Sequence, residues 1–146
     1  MSETALTAPA HAKVNLFLRV LARESDGYHG LETLFCLVSL ADTLRAERRE
    51  GHGVTIEVEG ADVGPPEQNL AVRAAGLLLE ATGRRFAVHL TLVKRIPVRA
   101  GLGGGSSDAA AALLATNALA NGAGSAGGVI PPTADSGSPG FDDVAG

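Results

Sequence analysis

The chain is nearly without aromatic side chains: they make up 3% of its 146 residues, and tryptophan is absent. With 45% apolar residues there is material for one folded domain, but its core must be built from Leu, Val, Ile and Ala. A lone cysteine, Cys36, excludes a disulfide within the chain and suits a reducing cytoplasm. Its apolar neighbours in Thr33-Leu-Phe-Cys-Leu-Val38 predict a buried side chain acting as a small hydrophobe. Basic charge is scarce as well, with 12 Lys and Arg against 16 Asp and Glu and a formal charge of −4. Nucleic-acid binding draws on an excess of Lys and Arg, so the expectation is no nucleic-acid partner; a nucleotide needs only one local electropositive pocket. No run of about 18 apolar residues is present to span a membrane. The N-terminus lacks the basic segment and apolar stretch of a signal peptide, and no His/Cys/Asp/Glu set has zinc-ligand spacing. A cytoplasmic protein is expected.

Alternation of apolar and polar residues marks the strands. Between Ala10 and Val20, the residues Ala12, Val14, Leu16, Leu18 and Val20 share one face, and Lys13, Asn15, Phe17 and Arg19 the other. Asp26-Gly-Tyr-His-Gly30 reads as a turn. Thr33–Val38, Asp42–Ala46 and Val54–Val58 read as further strand pieces. Arg85–Lys94 is the last, with Phe86, Val88, Leu90 and Leu92 inward and His89 on the exposed side. In Asn69–Ala81 the spacing changes: Leu70, Ala74, Leu77, Leu78 and Ala81 recur helically, Asn69 is placed to cap the start and Gly83 to end it. Asp108–Ala120, rich in Ala and Leu, predicts a second helix. The class is α+β, a mostly antiparallel sheet packed on helices. From Asn121 the composition shifts to Gly, Ala, Ser, Pro and Asp, with too few large apolar residues to offset the entropy of ordering. A domain is therefore expected over residues 9–120 and a disordered tail over 121–146.

Between the last strand and the second helix lies the segment Pro97, Val98, Arg99, Ala100, Gly101, Leu102, Gly103, Gly104, Gly105, Ser106, Ser107. Glycines let the backbone approach an anion and adopt positive φ. The first amides of the following helix have no internal acceptor, and its dipole places partial positive charge at the same point. Serine hydroxyls add donors or a ligand for Mg2+. No Lys follows the glycines, which excludes a Walker A loop; counted from Gly101, the third position of a dinucleotide fingerprint falls on Ser106. Lys94 and Arg95, just before the loop, either add positive potential there or lie on the surface.

The pattern Pro97-x-x-x-Gly-Leu-Gly-Gly-Gly-Ser-Ser107 resembles the ATP loop of the GHMP kinases, named for galactokinase, homoserine, mevalonate and phosphomevalonate kinases. Ala12-Lys-Val-Asn-Leu-Phe-Leu18, Asp26-Gly-Tyr-His29, Glu32-Thr-Leu-Phe35 and Asn69-Leu-Ala-Val-Arg-Ala74 resemble, in order, the branch that phosphorylates a cytidine diphosphate alcohol on the non-mevalonate route to isoprenoid precursors. The likeness runs colinearly from Pro9 to Leu119. It implies a domain whose architecture is shared with a ribosomal protein domain, ATP as phosphoryl donor with Mg2+, and a small-molecule substrate bearing a cytidine diphosphate group. By the same resemblance Lys13 is catalytic, favouring deprotonation of the acceptor hydroxyl and stabilising charge on the moving phosphoryl group. Asn15 would hydrogen-bond the substrate, Tyr28 and His29 would hold its cytosine, Asn69 would join the loop in binding ATP, and Ser107 would be the Mg2+ ligand.

Members of the family continue with a Gly-x-Asp-Val-Pro segment, whose aspartate is the proposed general base, and then a second domain. Asp143-Val144 echoes that pair a few residues too late and without the proline, so Asp143 is not expected to serve as the base. The chain reads as truncated or frame-shifted, with apolar faces left bare, and self-association is expected. Four readings remain: a kinase of the cytidine diphosphate alcohol, another GHMP small-molecule kinase, a catalytically inactive nucleotide-binding fragment, and an RNA-binding module. The acidic balance and the want of a basic aromatic stripe weigh against the last.

Overall fold

The computed structural model describes residues 4–122 and 128–129. In chain order the elements are β1 (Ala5–Arg23), β2 (His29–Arg49), β3 (Gly53–Glu59), a short 3-10 turn (Pro66–Gln68), α1 (Leu70–Thr82), β4 (Ala87–Val93), α2 (Gly104–Ala120) and β5 (Gly128–Val129). They form one sheet in the order β3-β4-β2-β1-β5. β1 pairs antiparallel with β2 from Ala5↔Glu47 to Arg23↔His29, and β2 pairs antiparallel with β4. β3 runs parallel to β4. A parallel neighbour requires a crossover, and α1 supplies it. The fold is the expected α+β arrangement, with a mixed rather than wholly antiparallel sheet.

Several boundaries differ from the sequence reading. Thr33–Val38 and Asp42–Ala46 belong to one strand, β2, because Ser39-Leu-Ala41 contains no Gly or Pro to interrupt it. α2 begins at Gly104 rather than Asp108, since glycine and serine are well tolerated in a first turn. Asn69 does cap α1, its Oδ1 accepting the Ala71 amide at 2.9 Å. Gly83 ends that helix at φ 62, the left-handed value that favours glycine.

The core brings Leu6, Ala8 and Ala10 of β1, Leu44 and Ala46 of β2, and Val88, Leu90 and Leu92 of β4 against Ala71, Ala75 and Leu79 of α1 and Ala111, Ala112, Ala115 and Leu119 of α2. Alanine supplies much of this surface, and small side chains let the helices lie close to the sheet. Leu44 and Leu90 are fully buried, each burial worth about 2–3 kcal/mol. The buried stripe of α1 is Ala71, Ala75 and Leu79, while Leu70 and Leu77, expected inward, are exposed. A helix apolar on most sides offers more than one face, and the alanine side permits the closer approach.

Two further expectations are overturned. Cys36 is exposed, because the part of β2 that carries it extends past both helices. His89 is buried, not exposed: β4 lies between β3 and β2, and its imidazole Nδ1 stands 2.8 Å from Thr55 Oγ1. The tail expected to be disordered, with Asp143, lies outside the described residues apart from Asn121 and Gly122, which end α2, and Gly128–Val129, which pair in parallel with Leu6 and Thr7.

Candidate functional site

The glycine loop closes over the end of the sheet and leaves a cavity of about 340 Å3. Pro97, Val98, Arg99, Ala100, Gly101, Leu102, Gly103, Gly104, Gly105 and Ser106 all line it, together with Asn69 and Leu70 from the start of α1. Lys94 and Asp108 complete the charged part of the wall. Ser107 is not in the lining. Its amide makes the first backbone bond of α2, to the Gly103 carbonyl at 3.0 Å, so the amides of Gly104, Gly105 and Ser106 precede the helical ladder, and no side chain caps them. Three unspent donors and the positive helix end, about half an elementary charge, thus meet at one cavity wall.

The glycines are needed because two lysines lie beneath them. A Cβ on Gly103 would stand 3.0 Å from Lys13 Cγ, and one on Gly104 would stand 3.2 Å from Lys94 Nζ and 3.1 Å from Ile96 Cγ2. Gly103 also sits at φ 69. Arg99 shares the left-handed region at φ 60, where a side chain is strained.

Lys13 is joined to the loop through its backbone as well, its amide donating to the Leu102 carbonyl at 2.9 Å. Asn15 is two residues further out and exposed. Tyr28 and His29 are not brought to the cavity; they occupy the tip of the β1–β2 hairpin, where the Tyr28 amide donates to Asp26 Oδ1 at 2.9 Å. From Lys13 to that tip β1 runs on to Arg23, roughly 30 Å at about 3.3 Å per residue.

Lys94 neither adds open positive potential nor lies on the surface. Its ammonium is buried and donates to Asp42 Oδ2 at 2.6 Å and to Asp108 Oδ2 at 3.0 Å. Asp42 Oδ1 accepts the amides of Arg95 at 2.7 Å and Ile96 at 2.9 Å. Burial alone would raise the Asp42 carboxyl, but the neighbouring Asp108 side chain, the Ile96 amide, Lys94 and the Arg95 amide hold it below the ordinary carboxylate value. Asp108 moves the other way: burial first, then the neighbouring Asp42, push it up to about 7. Asp108 Oδ1 is buried and makes no hydrogen bond among the described residues. Sequence reasoning missed Asp42 and Asp108, although periodicity marks all three groups. Asp42 has the parity of buried Leu44 and Ala46, Lys94 that of Val88, Leu90 and Leu92, and Asp108 precedes buried Ala111, Ala112 and Ala115 by three, four and seven residues.

A neighbouring recess of about 250 Å3, lined by Ile56, Val58, Ala61, Asp62, Val63, Gly64, Pro66 and Asn69, shares Val63 and Asn69 with the loop cavity. A larger hollow of about 490 Å3 opens at the other end of α1, between His52 and Phe86. The glycine loop does not contribute to it, and Lys13 lines neither hollow but lies beneath Gly103 of the loop. Among the described residues no three His, Cys, Asp or Glu side chains cluster as metal ligands, and no helix is long and apolar enough to cross a membrane.

The loop, the helix behind it and the strand lysine define the class. Residues 69–145 match the family described as GHMP kinases N terminal domain, and the chain belongs to it. The particular relatives are narrower. The chain is 51% identical over 116 residues to the 4-diphosphocytidyl-2-C-methyl-D-erythritol kinase of Pseudomonas paraeruginosa, covering 80% of this chain and 41% of that one. It is 53% identical over 110 residues to the kinase of the same name from Paraburkholderia phytofirmans, covering 75% and 37%. A crystal structure of 4-(cytidine 5'-diphospho)-2C-methyl-D-erythritol kinase superposes with a TM-score of 0.68 at 51% identity, over 77% of this chain and 40% of that one. Homoserine kinase from Cytophaga hutchinsonii, at 21% identity and a TM-score of 0.59, shares the fold over 82% of this chain and 36% of its own. The chain thus spans about two fifths of the length of these relatives.

Proposed function

We propose that this chain is the nucleotide-binding portion of an ATP-dependent kinase that phosphorylates the 2-hydroxyl of 4-diphosphocytidyl-2-C-methyl-D-erythritol, in the cytoplasm, on the non-mevalonate route to isoprenoid precursors. The observation that carries this reading is the meeting of unspent loop amides with Lys13, whose backbone and side chain both lie against the loop. The cavity takes the phosphates, and the adjoining recess beside Asn69 takes the nucleoside. Lys13 favours loss of the acceptor proton and stabilises charge in transfer, a reaction governed by positioning and electrostatics.

Mg2+ fits with few groups from the chain. Asp108 is engaged by Lys94, so the chain's groups that would hold the cation are the hydroxyls of Ser107, beside the cavity, and of its neighbour Ser106, which lines it. When bound, the cation neutralises phosphate charge. Asn15 hydrogen-bonds the substrate, while Tyr28 stacks on the cytosine and His29 reads its edge. Because those two residues stand at the hairpin tip, the hairpin curls toward the cavity in the bound form. Its register shifts after His11, Asn15 and Val20 are places to bend.

The exposed apolar side chains of the hairpin, among them Leu16, Phe17, Leu18, Leu34 and Phe35, make it an association surface, and the chain self-associates through it. A second reading is nucleotide binding without turnover. One assay separates the two. The chain is given ATP, Mg2+ and the cytidylyl substrate, ADP release is followed, and Lys13→Ala is the control. Turnover lost in the variant supports the kinase; ATP binding without turnover supports the second reading; a folded chain that binds no nucleotide refutes both.

A further inference from the structure

We propose that Lys94 is the positioning residue of the phosphate loop: it acts through Asp108 and Asp42, fixing the direction of the loop amides, rather than as a ligand of phosphate. The inference rests on the nucleotide-binding reading above.

A lysine kept for phosphate would hold its ammonium open to the cavity. Lys94 instead commits two donors to carboxylates at 2.6 and 3.0 Å, and its side chain is 5% exposed. Two carboxylates share one ammonium, so the cluster presents no surplus positive charge to an anion. Its geometry is that of a clamp. Asp42 accepts the amides of Arg95 and Ile96, which fixes the chain entering the loop at Pro97. Lys94 donates to Asp108, which fixes the first turn of the helix leaving it. The Lys94 ammonium and the Ile96 side chain then form the floor under Gly104. Entry, floor and exit of the loop are held by one buried cluster.

Stability does not explain such a cluster. Taking a cluster of ionisable groups out of water carries a large desolvation penalty, and apolar groups of similar volume are often as stable or more so. What apolar groups do not supply is a directional tie between β2, the end of β4 and the start of α2.

The test compares wild type, Lys94→Met and the double variant Lys94→Met/Asp108→Asn; the double variant avoids leaving a buried unpaired carboxylate on α2. Two quantities are read: hydrogen exchange of the amides from Ser107 to Ala110 against those of β4, and calorimetric affinity for ATP against adenosine. The expected result is exchange faster by about tenfold at the start of α2 with β4 unchanged, and ATP affinity weaker by about tenfold with adenosine affinity unchanged. Wild-type exchange in either folded variant overturns the proposal. So does an equal loss of ATP and adenosine affinity accompanied by faster exchange throughout, which is the mark of a merely structural residue. If the wild-type chain binds no ATP, the nucleotide-binding reading fails by itself, and the exchange comparison still decides whether Lys94 holds the loop.

Discussion

Over Ala5–Ala12 and Asp42–Arg49 the paired strands β1 and β2 lie in a core roofed by two helices, whereas from Asn15 to Leu37 every residue is exposed except the half-buried Gly30. The alternation of apolar residues is equally regular in both stretches. Leu6, Ala8, Ala10 and Ala12 are buried, yet Leu16, Leu18 and Val20, which continue the same alternation in the sequence beyond the register shift after Asn15, are not. Period two therefore reports which side of a strand is apolar and says nothing of whether anything covers it. The covered half holds the loop and carries stability; the bare half is where recognition and association are proposed.

The sharpest way to break that contrast is to cut one leucine from each half. Leu90→Ala is expected to destabilise the chain by about 2–5 kcal/mol, and Leu18→Ala to change stability by no more than about 0.5 kcal/mol, both from urea unfolding. Equal losses would show that the hairpin is packed after all. Next in size is the hairpin tip. Tyr28→Ala is expected to weaken binding of the cytidylyl substrate by about 1–3 kcal/mol, the range for loss of base stacking, with ATP affinity unchanged by calorimetry. A smaller effect separates the faces in association. Leu18→Glu with Phe35→Glu is expected to raise the concentration for self-association by roughly tenfold in sedimentation, while Leu77→Glu on exposed α1 leaves it as in wild type.

The smallest effect is electrostatic and lies in the covered half. Glu47 pairs with Arg45 and with Arg49, the latter at 3.1 Å. Burial works to raise its carboxyl, but the two guanidiniums outweigh it and hold the value below the ordinary 4.5. A lowered folded-state value means stability that is present above 4.5 and lost as pH falls through the folded value. Glu47→Gln should therefore be less stable near neutrality and lose less on acidification; an unchanged acid slope in its unfolding would remove the ion pairs from the account.

Much of this was legible in the residues. Asn69 and Gly83 marked both ends of α1, and the inward set of Phe86, just before β4, with Val88, Leu90 and Leu92 within it is buried as the alternation requires. The loop was readable because glycine and a following helix have a local reason to occur together. What was not legible depends on neighbours distant in sequence. Cys36 was misplaced because among the described residues nothing covers its part of β2, and His89 because β3 lies alongside β4. Lys94 was misread because its partners, Asp42 and Asp108, stand 52 and 14 residues away. Each had the right spacing for its element, but only the packed fold brings them together.

The central claim is that the loop amides and the lysine beneath them form a nucleotide site, and an ATP titration with Mg2+ tests it most directly. Gly103→Val is the control, since a branched side chain there meets Lys13 and a φ of 69. The account predicts saturable binding by the folded wild-type chain and affinity at least about tenfold weaker in the variant. Binding of equal strength in both, or none by a folded wild-type chain, would contradict it.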